Sequence, residues 1–297
     1  MNVRSRLAVL LTAATLGAVA LAGCGSDDPQ AEDPTPANGS TRGDDSPEPE
    51  PTESSEPADE TVAVPVYFVG DAAQGVRLYR EFRQVPASDP AGGALALLTS
   101  GEALDPDYRT LFPGGDAPGA QIGDDQITVT LPDESWTTMP EGMSEDDARI
   151  AAQQLVYTLQ GIAQARLGVL VSLDGEPADL FGLGGELSNE PEIDVRALVN
   201  ITSPEEGATV SGTFTASGVS SSFEATTPWE IRSADGTVVA EGFATAEGWM
   251  DKLYPWETEV DVSGLEPGTY SFVAMTDDPS DGEGFGPTED SKTITVQ

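Results

Sequence analysis

The chain has 297 residues, with 52 acidic and 13 basic side chains, no histidine and one cysteine. Without histidine it has no Ser/His/Asp triad, Cys/His pair or imidazole metal site, so those classes of enzyme are excluded. The net charge of −39 opposes binding to nucleic acid and anionic lipid, because affinity for polyanions comes largely from Lys and Arg displacing counterions.

The first 24 residues have the features of an export signal. Arg4 and Arg6 precede an uncharged apolar run over residues 7–21, and Leu-Ala-Gly-Cys follows at residues 21–24. The run of about 15 residues is shorter than the roughly 20 that span a bilayer, which favours a cleaved signal over a transmembrane helix. The last four residues resemble the lipobox of bacterial lipoproteins. That resemblance implies a signal peptide over residues 1–23, a diacylglycerol thioether on Cys24 and anchoring at the extracytoplasmic face of the membrane. An ordinary signal peptide with an incidental cysteine is the alternative.

Residues 24–60 form an acidic, proline-rich segment. Beyond Cys24 it contains seven prolines and no aromatic or large aliphatic side chain, so it cannot bury a core. We expect a disordered linker, extended by its like charges and its prolines. At about 3.1 Å per residue in polyproline II conformation, it could hold a folded domain up to roughly 110 Å from the membrane. It is either a spacer through the cell wall or a passive tail, and composition does not distinguish the two.

Residues 61–188 are predicted to form a first domain with helices packed on a mixed sheet. The β-branched and aromatic run 62–69, followed by turn residues and by 77–85, predicts a hairpin with Pro65 at a sheet edge or near the strand start. Ser88 or Asp89 can cap a short helix that has Pro90 in its first turn, and Gly101 can end it. Alternation over 127–131 predicts a strand with Ile127, Val129 and Leu131 on one face.

A second, longer helix is predicted from Ser144, which forms a capping-box pattern with Asp147. Leu155, Leu159, Ile162 and Ala163 recur at helical spacing, and Gly168 is a candidate stop. Strand-forming residues 169–173 and the turn Asp174-Gly175 then close the unit. The apolar stripe is either core or a partner groove, and the adjoining strands favour core because they need a helix to cover them.

The order of these segments resembles a known family, the GerMN domain of spore-germination proteins and of many actinobacterial lipoproteins. The resemblance covers the whole of the first domain. Its segments are residues 66–68, 79–81, 94–101, 154–159 and 169–175. Residues 111–116 depart from the proline-led loop that is common in the family. The family has no established catalytic residues to carry over, so the resemblance implies no enzyme.

Residues 193–297 are predicted to form a second domain made of strands. Seven short runs alternate or are β-branched, at 197–201, 210–214, 229–232, 237–240, 258–262, 270–275 and 293–296. Their number and the length of about 100 residues favour an immunoglobulin-like β-sandwich. A set of short segments and glycines resembles the Gmad2 domain, which often follows GerMN: 201–204, Gly207, 210–212, Gly218, 223–226 and 229–230. The predicted fold class is therefore α+β: a GerMN-like α/β sandwich followed by an immunoglobulin-like antiparallel β-sandwich.

Three sets of residues in these domains could bind a ligand or carry chemistry. Trp249, Tyr254 and Trp256, with Phe243 nearby, could stack on a sugar, and core packing is the alternative. Residues 277–283 partly match a calcium loop, but Pro279 and Thr288 occupy ligand positions, so a solvated hairpin loop is favoured and no metal site or cofactor is predicted. Abundant carboxylates make chance pairs at glycosidase spacing common, and we predict no hydrolase. Arg80, Glu81 and Arg83 are interpreted as a charged sheet face or interface rim.

These observations predict a non-catalytic surface lipoprotein that acts as a binding or scaffold module in the cell envelope. Membrane attachment would come from the lipid on Cys24, and nucleic acid is not an expected partner. The GerMN and Gmad2 resemblance implies roles in envelope assembly or germination-like processes, with an envelope protein as partner. Peptidoglycan is the rival ligand, and a role as accessory of an envelope sensor kinase is a second alternative.

Overall fold

The computed structural model describes residues 60–277 and 286–297. The predicted signal peptide, Cys24 and the predicted linker up to residue 59 lie outside the described residues, as do residues 278–285 of the calcium-like loop. The described residues all belong to one compact unit. They are mostly strand, arranged in several sheets, with two helices of more than two turns.

The first element is a long antiparallel hairpin of β1 (Thr61–Ala72) and β2 (Gly75–Pro86). Gly75 has φ +98, a left-handed conformation that glycine adopts without steric cost at the turn. Pro65 lies in β1, which has no strand partner except β2 among the described residues, so the predicted edge position is confirmed. Alternate residues of the hairpin face two different apolar clusters. Val66 and Phe68 pack into one cluster, and Tyr67 and Val69 pack into the other.

Helix α1 (Pro90–Ser100) has the predicted signals at both ends. The Asp89 carboxylate accepts a hydrogen bond from the Gly92 N–H at 2.9 Å, and Pro90 is in the first turn. Gly101 ends the helix at φ +72, and its N–H donates to the Leu97 carbonyl. These signals were readable because each connects residues that are close in sequence.

A second sheet follows in the order β3-β4-β5-β6, and the hairpin is not part of it. The strands are β3 (Gly119–Ile122), β4 (Gln126–Thr130), β5 (Gly168–Leu173) and β6 (Glu176–Pro177). β4 and β5 are parallel, and the connection between them contains the long helix α2 (Glu145–Ala163). Ile127, Val129 and Leu131 are buried on one face, as predicted. The sheet is mixed as predicted, and the predicted hairpin forms a separate two-stranded sheet.

Helix α2 hydrogen-bonds to the outer edge of the hairpin at Tyr67. Thr158 Oγ1 accepts a hydrogen bond from the Tyr67 N–H at 3.1 Å, and Gln154 Nε2 donates to the Tyr67 carbonyl at 3.0 Å. Both helix side chains are fully buried. They satisfy the backbone groups that β1 would otherwise offer to another strand, so the helix replaces a ladder partner at that point.

The ends of α2 give one confirmed prediction and one correction. Ser144 and Asp147 exchange hydrogen bonds as a capping box, with Asp147 N–H to Ser144 Oγ at 3.0 Å and Ser144 N–H to Asp147 Oδ2 at 3.1 Å. The helix ends at Gln164, which is left-handed with φ +52, and not at Gly168. Gly168 instead begins β5, so the chain leaves the helix four residues earlier than the glycine signal indicated.

Loss of the capping box should measurably weaken the fold. We expect Ser144→Ala to lower the free energy of unfolding by about 1 kcal/mol, because an N-terminal N–H of α2 loses its acceptor. For a unit of this size that corresponds to a fall in Tm of roughly 2–4 °C in a thermal melt. Ser144→Thr keeps the hydroxyl and is the control; an equal loss in both variants would contradict the capping explanation.

The second half of the chain is a sandwich of eight strands in two sheets. One sheet has the order β11-β10-β13-β14-β8 and the other β12-β9-β7. The strands are β7 (Val199–Ser203), β8 (Ala208–Val210), β9 (Thr213–Ser220), β10 (Thr226–Ser233), β11 (Val238–Thr245), β12 (Tyr254–Asp261), β13 (Gly268–Met275) and β14 (Glu289–Val296). The single strand predicted over 210–214 is two strands, because Gly212 at φ +60 takes the chain from one sheet to the other.

Two main apolar cores correspond to the two halves. The first includes Leu155, Trp136 and Phe68, and the second includes Trp229, Trp256 and Phe272. The change from one core to the other falls between Ala197 and Val199. Residues 193–197, which the sequence analysis assigned to the second domain, thus pack with the first half. A short helix, α3 (Glu192–Val195), lies in this connection.

Candidate functional site

The three aromatic residues singled out in the sequence do not share one exposed surface. Trp256 is 3 % exposed and belongs to the core of the sandwich. Its ring lies over Gly218 of β9, where a Cβ atom would be 2.7 Å from the ring. Trp249 is 36 % exposed, and Tyr254 is half-buried. The predicted platform of Trp249, Tyr254 and Trp256 is therefore corrected, because the alternation of β12 turns Trp256 inward.

Tyr254 is occupied by its own neighbours. Its hydroxyl donates to Asp251 Oδ1 at 2.8 Å, and Lys252 Nζ lies 4.8 Å from its ring centroid. The backbone of Gly248 packs against the ring edge, where a Cβ would be 2.7 Å away. Phe243 is exposed on β11 and is paired with Pro228 of β10. Trp249 is thus the exposed member of the predicted Trp249, Tyr254 and Trp256 platform, and Phe243 is also exposed but lies on β11.

Trp249 belongs to a group of exposed apolar side chains that the sequence analysis did not assemble. Its ring contacts Phe223 edge-on, with centroids 5.1 Å apart and planes at 77°. Phe223 is 40 % exposed and Met250 is 66 % exposed. These three residues, called the Trp249 patch from here on, line an open cavity of about 420 Å³ together with Ile193 and Leu198. An exposed cluster of large apolar groups is a feature of interaction sites, whereas single exposed ones are ordinary.

The backbone under the Trp249 patch is held in conformations that side chains rarely adopt. Met250 has φ +85, and Glu224 and Ala225, next to Phe223, have φ +51 and +60. Each costs of order 1–3 kcal/mol and persists only where surrounding contacts impose it. Here the Met250 N–H donates to Ser221 Oγ at 3.0 Å, and the Ala225 carbonyl accepts from the Ala246 N–H at 2.8 Å. Both loops of the patch are therefore fixed in position by specific hydrogen bonds.

A second feature is a buried polar network that joins the two cores. Lys292 of β14 donates to Asp105, to Asp290 Oδ1 at 3.1 Å and to the Tyr108 hydroxyl at 2.7 Å. Tyr108 in turn donates to Asp290 Oδ1 at 2.7 Å. Asp105 and Tyr108 come from the first half of the chain, whereas Asp290 and Lys292 come from the second. Four side chains that are more than nine-tenths buried therefore form one hydrogen-bonded cluster between the halves.

The remaining acceptors of this network are also satisfied. Asp290 Oδ2 accepts from the Asn200 side chain at 3.0 Å and from the Ile201 N–H at 2.6 Å. Asn200 Oδ1 accepts from the Arg80 N–H of β2 at 2.9 Å. A buried charge is tolerated only when it is paired and hydrogen-bonded, and this cluster meets that requirement on every side.

The charges of the network act on one another. Burial opposes the positive charge of Lys292, but attraction by Asp290 and Asp105 outweighs it and raises the pKa of the ammonium above its ordinary value. Burial raises the pKa of the Asp105 carboxyl, although Lys292 partly offsets that effect. Burial and the neighbouring carboxylates raise the pKa of the Tyr108 hydroxyl well above its ordinary range.

The other charged residues named from the sequence also have structural positions. Glu81, interpreted as part of a charged face or rim, is buried and accepts from the Leu104 and Asp105 N–H groups at 2.9 Å. It also pairs with Arg83 at 3.2 Å. Thr288, at the last ligand position of the calcium-like loop, is buried and donates to Gln74 at 2.8 Å. In the described part of the chain no group of three or more Cys, Asp or Glu side chains could hold a metal ion.

One sequence signal could have located the network. In β14, Asp290 and Lys292 occupy the same alternating positions as Ile294 and Val296, and all four are buried. A charged pair that continues an inward-facing apolar row indicates a buried polar contact.

No helix in the described residues is both long and apolar enough to cross a membrane.

Comparisons with known proteins identify both halves of the chain. The family described as sporulation and spore germination (Germane) matches residues 65–179, and the immunoglobulin-like domain of bacterial spore germination (Gmad2) matches residues 198–283. A solved structure of the tandem GerMN domains of the sporulation protein GerM from Bacillus subtilis is 17% identical, with a TM-score of 0.35. That match covers 69% of this chain and 62% of that chain. An engineered protein is 13% identical over 50% of this chain and 36% of that one, with a TM-score of 0.24. No curated protein matches the chain.

Proposed function

Because the chain belongs to the GerMN and Gmad2 families of sporulation and spore-germination domains, we propose that it is a non-catalytic binding or scaffold lipoprotein of the cell envelope. In this proposal Cys24 carries the lipid, residues 25–60 form a spacer and the two domains bind an envelope protein on the outer side of the membrane. The GerMN half is the α/β part of an α+β chain, and the Gmad2 half is its immunoglobulin-like β-sandwich.

The observation that carries the binding function is the Trp249 patch. Trp and Met are enriched in protein interfaces, and a few buried aromatic anchors supply most of the binding energy there. The patch offers two aromatic rings and a methionine beside a cavity of about 420 Å³, on a backbone that is already held in place. A surface with little freedom to lose on binding keeps more of its contact energy as affinity.

Wall glycan is the second candidate ligand, and the burial of Trp256 weakens its case. A sugar-binding platform needs ring faces open to the ligand, and of the three rings considered only Trp249 has substantial exposure beyond its neighbours. The edge-on contact with Phe223 and the exposed Met250 form an uneven apolar surface, which suits a protein side chain better than a flat sugar ring. The role of sensor-kinase accessory is one form of the protein-binding proposal and depends on which protein is captured.

The test is a cross-linking co-purification from intact cells that express the native chain, Cys24→Ala or Trp249→Ala. We expect the native chain to capture one envelope protein reproducibly. Capture should be lost with Cys24→Ala, because the unanchored protein no longer meets its partner at the membrane. It should fall at least tenfold with Trp249→Ala, because that side chain is the largest anchor of the patch. Quantitative mass spectrometry of the captured proteins gives the measurement.

Phe243→Ala is the matched control, since Phe243 is also exposed and aromatic but lies on β11. Capture that falls equally with Phe243→Ala would contradict a specific role for the Trp249 patch. A parallel pull-down on purified cell wall tests the rival ligand. Retention on the wall that depends on Trp249, without any captured protein, would replace the protein-binding proposal with the glycan-binding one.

A further inference from the structure

Most charged residues next to those that line the Trp249 patch are acidic. Asp277 lines the cavity, and Glu224, Asp251 and Asp194 directly follow the lining residues Phe223, Met250 and Ile193. All four carboxylates are exposed. Among the residues that the structure describes, none that lines the cavity is basic. The nearest basic residue in sequence, Lys252, lies over the Tyr254 ring.

Building on the proposed function, we infer that the partner of the Trp249 patch is a basic protein segment that inserts an apolar side chain between flanking Lys or Arg residues. The apolar side chain would contact Phe223, Trp249 and Met250, and the flanking cations would lie among the rim carboxylates. The inferred partner of the patch thus belongs to one chemical class. The descriptions of the two matching families do not name a partner.

Charge complementarity favours a basic segment over a neutral apolar segment or an acidic one. A neutral apolar segment would leave the Asp277 carboxylate at the cavity, and the acidic residues next to the lining, without a cationic partner. An acidic segment would bring like charges together, which costs several kcal/mol in protein interfaces. A cation beside an exposed ring also gains attraction from the aromatic face, and Trp is the best of the rings in this respect. The net charge of −39 would steer a basic segment toward the chain at low salt.

The distribution of tryptophan in the chain provides a selective probe. Of its four tryptophans, Trp136, Trp229 and Trp256 are buried and only Trp249 is exposed. Acrylamide quenching of fluorescence in the purified chain with Cys24→Ala should therefore report mainly on Trp249. A ligand that covers the patch should reduce the quenchable fraction, whereas a ligand that binds elsewhere should leave it unchanged.

The experiment compares three short synthetic peptides of equal length, composed of Lys and Leu, of Lys and Ser, or of Glu and Leu. We expect the Lys/Leu peptide to protect Trp249 from quenching and the other two to give little protection. Replacing Met250 by Ser should weaken binding of the Lys/Leu peptide about thirtyfold, the effect of losing one interface hot spot. Equal protection by the Glu/Leu peptide, or equal binding by the Met250→Ser variant, would overturn the inference.

A matched pair of charge variants separates the rim from the overall charge. The rim variant combines Glu224→Gln, Asp251→Asn and Asp277→Asn, and the control variant combines Asp124→Asn, Asp125→Asn and Glu141→Gln at exposed sites in the first half. We expect the rim variant to weaken binding about tenfold and the control variant less than about threefold. Equal weakening in both would show that only net charge matters and would overturn the inference.

Failure of this inference can be distinguished from failure of the proposed function. If Trp249→Ala abolishes capture of an envelope protein from cells while the Lys/Leu peptide gives no protection, the binding function stands and the basic partner is wrong. If capture from cells is unaffected by Trp249→Ala, the proposed role of the patch itself fails, whatever the peptides do.

Discussion

Replacement of Lys292 by methionine should lower the free energy of unfolding by about 3–5 kcal/mol, the cost of removing one partner from a buried ion pair. Methionine has a similar length but cannot neutralise Asp105 and Asp290, both of which face Lys292 in a buried position. Two carboxylates would remain close together without a counter-charge. Urea denaturation followed by far-UV circular dichroism would measure the loss.

The other lysine of the chain provides the control. Lys252 is exposed and contacts the Tyr254 ring, so Lys252→Met should change stability by less than about 0.5 kcal/mol. Similar losses for both variants would contradict the assignment of a central role to the buried network. A second control, Lys292→Met combined with Asp105→Leu, should recover part of the loss because it removes one unpaired charge.

The pH dependence of this variant follows from the sign of the shifts. The raised pKa of Lys292 means that its stabilising contribution is fully present below the ordinary lysine value of 10.5 and is lost as pH rises through the folded-state pKa. The raised pKa of Asp105 means that the folded chain takes up its proton more readily than the unfolded chain as pH falls. We therefore expect the stability difference between the native chain and Lys292→Met to be largest near pH 7 and to narrow toward pH 4.

The features that sequence reasoning predicted correctly depend on residues that are close together along the chain. Asp89, Pro90 and Gly101 specify both ends of α1, and Ser144 with Asp147 specifies the start of α2. In each case the donor and acceptor are within four residues, so the hydrogen bond can be inferred from local spacing. The end of α2 was missed because Gln164 adopts a left-handed conformation that the rule reserves mainly for glycine.

The features that it missed depend on distant residues. The hydrogen bond between Thr158 and Tyr67 spans 91 residues, and that between Lys292 and Asp105 spans 187. No periodicity in either segment identifies the other partner. The Trp249 patch was missed for the same reason, because Phe223 and Trp249 are distant in sequence and their rings come into contact only in the folded sandwich. The family resemblance was confirmed by the domain matches, but it could not supply these contacts, since they belong to side chains of this particular chain.

The burial of Trp256 and the exposure of Trp249 could have been predicted from the sequence. They were missed because the start of one strand was placed too late. The predicted strand began at Thr258, whereas β12 begins at Tyr254. Extending the alternation back from the buried Val260 by four residues places Trp256 on the inward face. The sequence alone then would have separated a core tryptophan from a surface one seven residues away.

That separation leads to a large expected difference between two substitutions that look alike. Trp256→Ala should lower the free energy of unfolding by about 3–5 kcal/mol, because it leaves a cavity over Gly218 in the second core. Trp249→Ala should cost less than about 1 kcal/mol, because its ring is already partly in solvent. Urea denaturation of both variants measures the difference, and equal losses would contradict the placement of the two rings.

A third variant identifies what Trp256 contributes. Its indole N–H is buried and has no hydrogen-bond partner in the part of the chain that the structure describes. Trp256→Phe removes this unpaired donor and keeps most of the apolar contact, so it should cost about half as much as Trp256→Ala or less. A loss with phenylalanine as large as with alanine would mean that the indole nitrogen makes an essential bond. The same result bears on function, because a wall-binding defect in Trp256→Ala would then report partial unfolding of the sandwich, whereas a defect in the stable Trp249→Ala would report a lost contact.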